Sequence, residues 1–217
     1  MDLTGLTDHL EKAFARLAGD DDASHDIHHI RRVKSVALEI ADMEGQADRS
    51  VLLAAAYLHD LVNLPKNSPD RAKASTLSAD AAVPVLQELG FEEERIEAVR
   101  HAIIAHSFSA NVAPTTVEAK ILQDADRIDA LGAIGMARTF LIAGKIGTTL
   151  FDGADPFATE RPLDDRRFAI DHFAVKLLKL PETMQTASGR AIAERRTETI
   201  RNFLKALGEE LQQPCNW

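Results

Sequence analysis

The stretch RSVLLAAAYLHD, Arg49–Asp60, decides how the chain reads. From Val51 to Leu58 it is apolar without interruption, which is too continuous for one face of a surface helix and far short of a membrane span of about 20 residues. A buried central helix is the expectation. The helix nevertheless ends in a histidine and an aspartate. The dipole at a helix C-terminus favours a histidine and disfavours an acid, so an ordinary helix end accounts for His59 and leaves Asp60 unexplained. An ionised carboxylate at the end of a buried helix is costly unless it is paired or coordinates a cation. The adjacent pair offers one nitrogen and one oxygen ligand, a set that suits Zn2+, Mn2+, Fe2+ or Ni2+ better than Ca2+.

Upstream lies HDIHHIRRV, His25–Val33. On a wheel turned by about 100° per residue with Ile30 at zero, Val33, Val36, Ala37 and Ile40 fill an arc from roughly 240° to 360°. His29 falls inside that arc at roughly 260° and His28 outside it at roughly 160°. His29 is therefore expected to face the protein and His28 to face water, with His25 at the border or ahead of the helix. A histidine on an apolar face is by itself more often a core residue than a ligand. The His59–Asp60 pair is what gives His29 possible company. Downstream, LQDADRIDALG (Leu122–Gly132) alternates Asp124, Asp126 and Asp129 with apolar residues. The pattern assigns Asp129 to a solvated acidic face and does not choose between Asp124 and Asp126.

The remainder reads as helix, with no run of alternating β-branched residues. A first helix is expected over about Leu6–Ala18, ahead of the acidic breaker GDDDAS, and the second begins near Asp26. Beyond the LVNLPKNSP loop, Ser68–Pro69 supplies a capping hydroxyl and a first-turn proline, Pro84 predicts a kink or break near Val83, and Gly90 a stop. Further helices are expected over EEERIEAVRHAIIAHSFS, from Val117 to about Leu131, and over GAIGMARTFLIAGKIG, whose small residues allow close packing. A surface loop at about Gly147–Pro162 precedes helices at about Asp164–Leu178 and Pro181–Leu211. The fold class is all-α in a single domain over residues 1–217.

A net charge of −9 argues against nucleic-acid polymers and anionic membranes as partners, since both require a basic footprint. The one cysteine, Cys215, rules out an intrachain disulfide framework or a thiolate cluster. The first residues, MDLTGLTDHLEKAF, lack the basic and apolar regions of a signal peptide, so a cytoplasmic location is expected.

In this order, His29, the pair His59–Asp60 and an aspartate within ADRID (Ala125–Asp129) resemble the HD-domain superfamily of metal-dependent phosphohydrolases. The surrounding HDxxHxxRV at His25–Val33 fits, and IDHFAVKLLKL (Ile170–Leu180) resembles the C-terminal part of small stand-alone bacterial HD proteins. The resemblance runs from about His25 to Leu204. It implies a helical bundle with a metal-binding core at about residues 25–135 and additional C-terminal helices at about 164–211. It implies His29, His59, Asp60 and Asp126 as ligands, preferring Asp126 because the ligand is the acid directly before the arginine. The cofactor is then one divalent ion, Mn, Ni, Fe, Co or Zn, with Mg a further candidate.

The implied activity is hydrolysis of a small phosphorylated metabolite, foremost a nucleoside triphosphate cleaved to monophosphate and pyrophosphate. No GxSxG elbow or Walker A sequence offers another route. Arg32, one turn after His29, and Lys66, in the loop after Asp60, are candidate phosphate donors. His106 and His101 lie on the helix that supplies extra histidines in binuclear relatives and are the catalytic candidates, His106 first. Five residues apart, they do not face alike. Two alternatives are a nucleotide-sensing metal module without turnover and a di-iron oxygenase on the same fold. One departure stands out: nothing acidic lies between Asp60 and Asp70, where several nucleotide-hydrolysing relatives carry acids. The glycine-spaced helix is either core or a dimer face, so the chain is a monomer or a homodimer.

Overall fold

Every side chain from Val51 to Leu58 is buried in α3, Arg49–Leu58. The start of this helix is set by Asp48, whose carboxylate accepts from the N–H of Ser50 at 2.9 Å and of Val51 at 3.2 Å. That satisfies two of the donors a helix start leaves open. The Asp48 N–H in turn donates to Glu118 Oε1 at 2.8 Å, and Arg95 pairs with the Asp48 carboxylate at 3.1 Å. The computed structural model describes residues 2–17, 27–64, 68 and 70–217; GDDDAS, His25 and Lys66 lie outside the described residues.

The chain forms two compact units, Met1–Asp126 and Arg127–Trp217. In the first, α3 packs against α1 (Leu3–Leu17), α2 (Ile27–Glu44), α4 (Ala74–Glu88) and α5 (Glu93–His106), and α4 lies along α5. Helix α6, Val117–Asp129, closes this unit with all but its last turn. A polar knot ties the first three helices together. Glu11 accepts from Tyr57 Oη at 3.1 Å and pairs with Arg31. Burial first, and then the Glu11 bond, push the Tyr57 phenol up to about 12.

The expected start of α4 is partly met. Ser68 Oγ accepts from the Asp70 N–H, but a 3-10 turn at Arg71–Lys73 comes first and the α-helix begins at Ala74. Of the kink or break expected near Val83, the break is absent, and α4 runs through Pro84 to Glu88. Pro84 is exposed, so the carbonyl it leaves without a helical donor, that of Asp80, is on the side water can reach. At the end of α4, Gly90 takes φ +76°, with its N–H on the Gln87 carbonyl and the Phe91 N–H on that of Leu86, the two bonds of a Schellman stop.

The second unit holds α7 (Gly132–Ile146), α8 (Asp171–Val175) and α9 (Ala187–Leu211), with α7 and a 3-10 segment at Leu177–Thr183 packed on α9. In α7 a Cβ at Gly135 would collide with the Ala130 carbonyl, which is what the small residue there permits. Phe140, Phe173 and Phe203 meet edge to face with centroids 5.7–6.2 Å apart. The helix expected over Asp164–Leu178 is shorter than predicted. Asp171 is fully buried and takes a two-pronged bond from Arg161 and the N–H of Asp164, which folds residues 161–170 into turns instead. The last helix starts at Thr186, whose hydroxyl caps the Gly189 N–H, and not at Pro181. Among the described residues the only β pairing is an isolated parallel bridge, Thr149–Phe168, and no helix is long and apolar enough to cross a membrane.

Candidate metal centre

Three helices of the first unit and the residues just after α3 deliver side chains to one point. His29 comes from the first turn of α2, His59 and Asp60 follow α3, His106 ends α5, and Asp126 sits on α6. His29 is 1% exposed while His28 is exposed, as the wheel predicts. His29 Nε2 lies 3.5 Å from Asp126 Oδ1 and 3.8 Å from Asp60 Oδ2. His59 Nε2 lies 3.6 Å from Asp60 Oδ2 and 3.9 Å from Asp126 Oδ1. His106 Nε2 faces the other Asp60 oxygen at 3.7 Å. The imidazoles are buried, whereas the Asp60 and Asp126 side chains keep 19% and 31% of their surface, so the cluster opens to solvent on its carboxylate side.

The ring orientations follow from the backbone. His59 Nδ1 lies 2.9 Å from the Ala56 carbonyl, and His106 Nδ1 lies 2.5 Å from that of Ile103. A carbonyl only accepts, so each Nδ1 carries a proton, and each ring turns its Nε2 toward the carboxylates. His59 Nε2 is buried and has no hydrogen-bond partner. Burial, and then the neighbouring His59, push the His106 imidazole below its ordinary value, holding it neutral.

The Nε2 atoms of His59 and His106 thus face carboxylate oxygens at 3.6–3.9 Å, and His29 Nε2 lies 3.5 Å from Asp126 Oδ1. Ligand atoms each about 2.1 Å from a shared ion stand roughly 3.0–3.5 Å apart, so a modest contraction would close this set on a cation. His29, His59 and Asp126, and separately His59, Asp60 and His106, are grouped closely enough to hold a metal ion. The fixed tautomers with backbone partners are the outer-shell arrangement that metal-binding histidines use.

The other predicted residues fall differently. Arg32 is half-buried one turn along α2 from His29. His101 is not brought to the cluster; its Nε2 accepts from the Thr115 N–H at 3.0 Å and meets the Thr115 hydroxyl at 2.9 Å, holding the loop before α6. Asp124 is fully buried, and Asp126 rather than Asp124 stands with the histidines. Asp129 corrects the reading of a solvated acidic face: it is 1% exposed and accepts from Arg138 at 2.5 Å. The wheel missed this because the partner lies on the following helix.

Two buried polar residues near the cluster have no counterpart in the predicted set. Ser78, buried on α4, binds both the N–H and the carbonyl of Val62 and so holds the chain just past Asp60. Gln123, buried one turn before Asp126, donates to the Ala105 carbonyl at 2.7 Å.

Comparison with known proteins gives a consistent picture. Residues 26–131 match the HD domain family. The uncharacterized protein YpgQ of Bacillus subtilis is 33% identical over 88% of this chain and 87% of its own length. The crystal structure of Bacillus subtilis YpgQ in complex with ADP superposes with a TM-score of 0.72 at 29% identity, covering 95% of each chain. An HD-superfamily hydrolase from Bacillus thuringiensis superposes with a TM-score of 0.76 at 31% identity, covering 96% of this chain and 98% of its own.

Proposed function

The chain belongs to the HD-domain superfamily, and from that premise we propose that it is a metal-dependent phosphohydrolase with His29, His59, Asp60 and Asp126 as its metal ligands. The substrate class we propose is a small phosphorylated metabolite, foremost a nucleoside triphosphate cleaved to monophosphate and pyrophosphate. One observation carries the reading: histidine lone pairs and two carboxylates converge from separate helices on one partly open point. The ADP held by the Bacillus subtilis relative supports the nucleotide.

A divalent transition ion held there supplies a Lewis acid and lowers the pKa of water from 15.7 to about 7. The chain's own residues do the rest. His59 Nδ1–H, fixed on the Ala56 carbonyl, keeps Nε2 available as a ligand. His106, with its Nδ1–H committed to Ile103, turns Nε2 toward Asp60 and would meet the attacking water or the leaving group there. Arg32, one turn past His29, and Lys66, in the loop after Asp60, are the proposed phosphate partners. No protein nucleophile is needed. The His59–Asp60–His106 group supports a second reading, a di-iron oxygenase, in which these residues would help to hold a further ion; two ions per chain would favour it.

The test is a metal-supplemented hydrolysis assay over nucleotides and simple phosphate esters, with products identified, for the wild type, His28→Ala and His29→Ala. The wild type and His28→Ala are expected to release pyrophosphate or phosphate. His29→Ala should lose more than about 100-fold, since a Lewis acid contributes several kcal/mol. A wild type that binds metal and hydrolyses nothing would point to a nucleotide sensor instead.

A further inference from the structure

Helix α5 ends at His106, and a helix end leaves its last carbonyls without intrahelical donors. Two of these carbonyls have side-chain partners that bear on the metal centre. The Ile103 carbonyl takes the Nδ1–H of His106 itself, and the Ala105 carbonyl takes Gln123 Nε2 from α6. Gln123 is 4% exposed and lies three residues before Asp126, so its amide and the Asp126 carboxylate share one face of α6. One amide therefore joins the turn that carries His106 to the turn that carries Asp126.

We infer that Gln123 is a positioning residue, which sets the placement of the His106 ring against Asp60 and Asp126 by tethering the last turn of α5 to α6. This rests on the phosphohydrolase reading for its catalytic consequence, but not for its structural one. The bond is short, buried and made to the residue directly before His106, so its loss frees the end of α5 at the point where the ring is anchored. The other imidazoles have their own anchors: His59 through Ala56 after α3, and His29 on α2. The effect should therefore fall first on His106, reach His59 only through the edge-to-face contact of their rings at 4.8 Å, and spare His29.

Gln123→Met keeps the length of the side chain and removes the donor; Gln123→Asn keeps the amide and shortens its reach, and serves if the first variant does not fold. Two readouts decide the matter. In the metal-free protein, the ring NMR signals of His106 should shift or broaden in either variant while those of His29 stay in place. In turnover, Gln123→Met should lower kcat by about 10-fold or more, the usual size of an outer-shell loss. KM should change little. In a His106→Ala background the same change should cost less than about twofold, because residues acting through one another are not additive. Unmoved His106 signals, or an equal loss in both backgrounds, would overturn the inference. If the wild type turns over nothing, the phosphohydrolase reading fails while the ring signals still decide the role of Gln123.

Discussion

Asp124, Asp126 and Asp129 lie on one helix and meet three different fates. Asp124 is fully buried, Asp126 faces the histidines with a third of its surface open, and Asp129 is buried against Arg138. Sequence periodicity separates His29 from His28 because the apolar arc of α2 is narrow. It cannot separate these aspartates, because α6 is buried on most sides and the deciding partners come from other helices. Two predictions follow from their environments. Asp126→Asn should abolish metal binding and leave the thermal midpoint of the metal-free protein near that of the wild type, since this carboxylate is only part-buried and faces other acceptors; a large drop in that midpoint would make it a structural residue. Arg138→Met should lower stability by about 3 kcal/mol in urea unfolding, because it strands a buried carboxylate. A change under about 0.5 kcal/mol, the size of an ordinary surface substitution, would contradict the pairing.

Among the elements, those of the first unit were the more legible. The all-apolar α3, the Gly90 stop and the amphipathic α5 follow from local rules, and their ends agree with the sequence to within a few residues. The misses share a cause. Pro84 is tolerated because its side of α4 is wet, and α8 is short because a buried Arg161–Asp171 bond outweighs helical propensity nearby. Neither is a local property. Asp48 lets a helix start be tested by pH. Burial raises its pKa, but the N–H groups of Val51 and Ser50 and the charge of Arg95 outweigh that and leave it below the usual aspartate value. A depressed folded pKa contributes stability that is present above the unfolded value and is lost as pH falls through the folded one. Asp48→Ala should therefore cost about 1 kcal/mol near neutral pH, the worth of an N-cap. The gap from the wild type should narrow below about pH 4, where the unfolded aspartate begins to protonate. A gap independent of pH would show that the carboxylate is not the cap.

For the molecule as a whole, the order of the motifs carried more than any of them alone. His29, His59–Asp60 and Asp126 are far apart in the chain, and the fold of the first unit brings His29, His59 and Asp126 close enough to hold a metal ion, with Asp60 grouped beside His59 and His106. The family and the all-α fold were legible from that order, while the tethers through Gln123 and Ser78 were not, because they join backbone and side chains across helices. The central claim is that this cluster is a metal centre built on His29. Calorimetric titration of Mn2+ into the metal-free wild type, His28→Ala and His29→Ala tests it most directly. The account predicts one ion per chain for the wild type and His28→Ala, and an affinity weakened by at least about 100-fold in His29→Ala, a loss of roughly 2.8 kcal/mol. Undiminished binding by His29→Ala would contradict it.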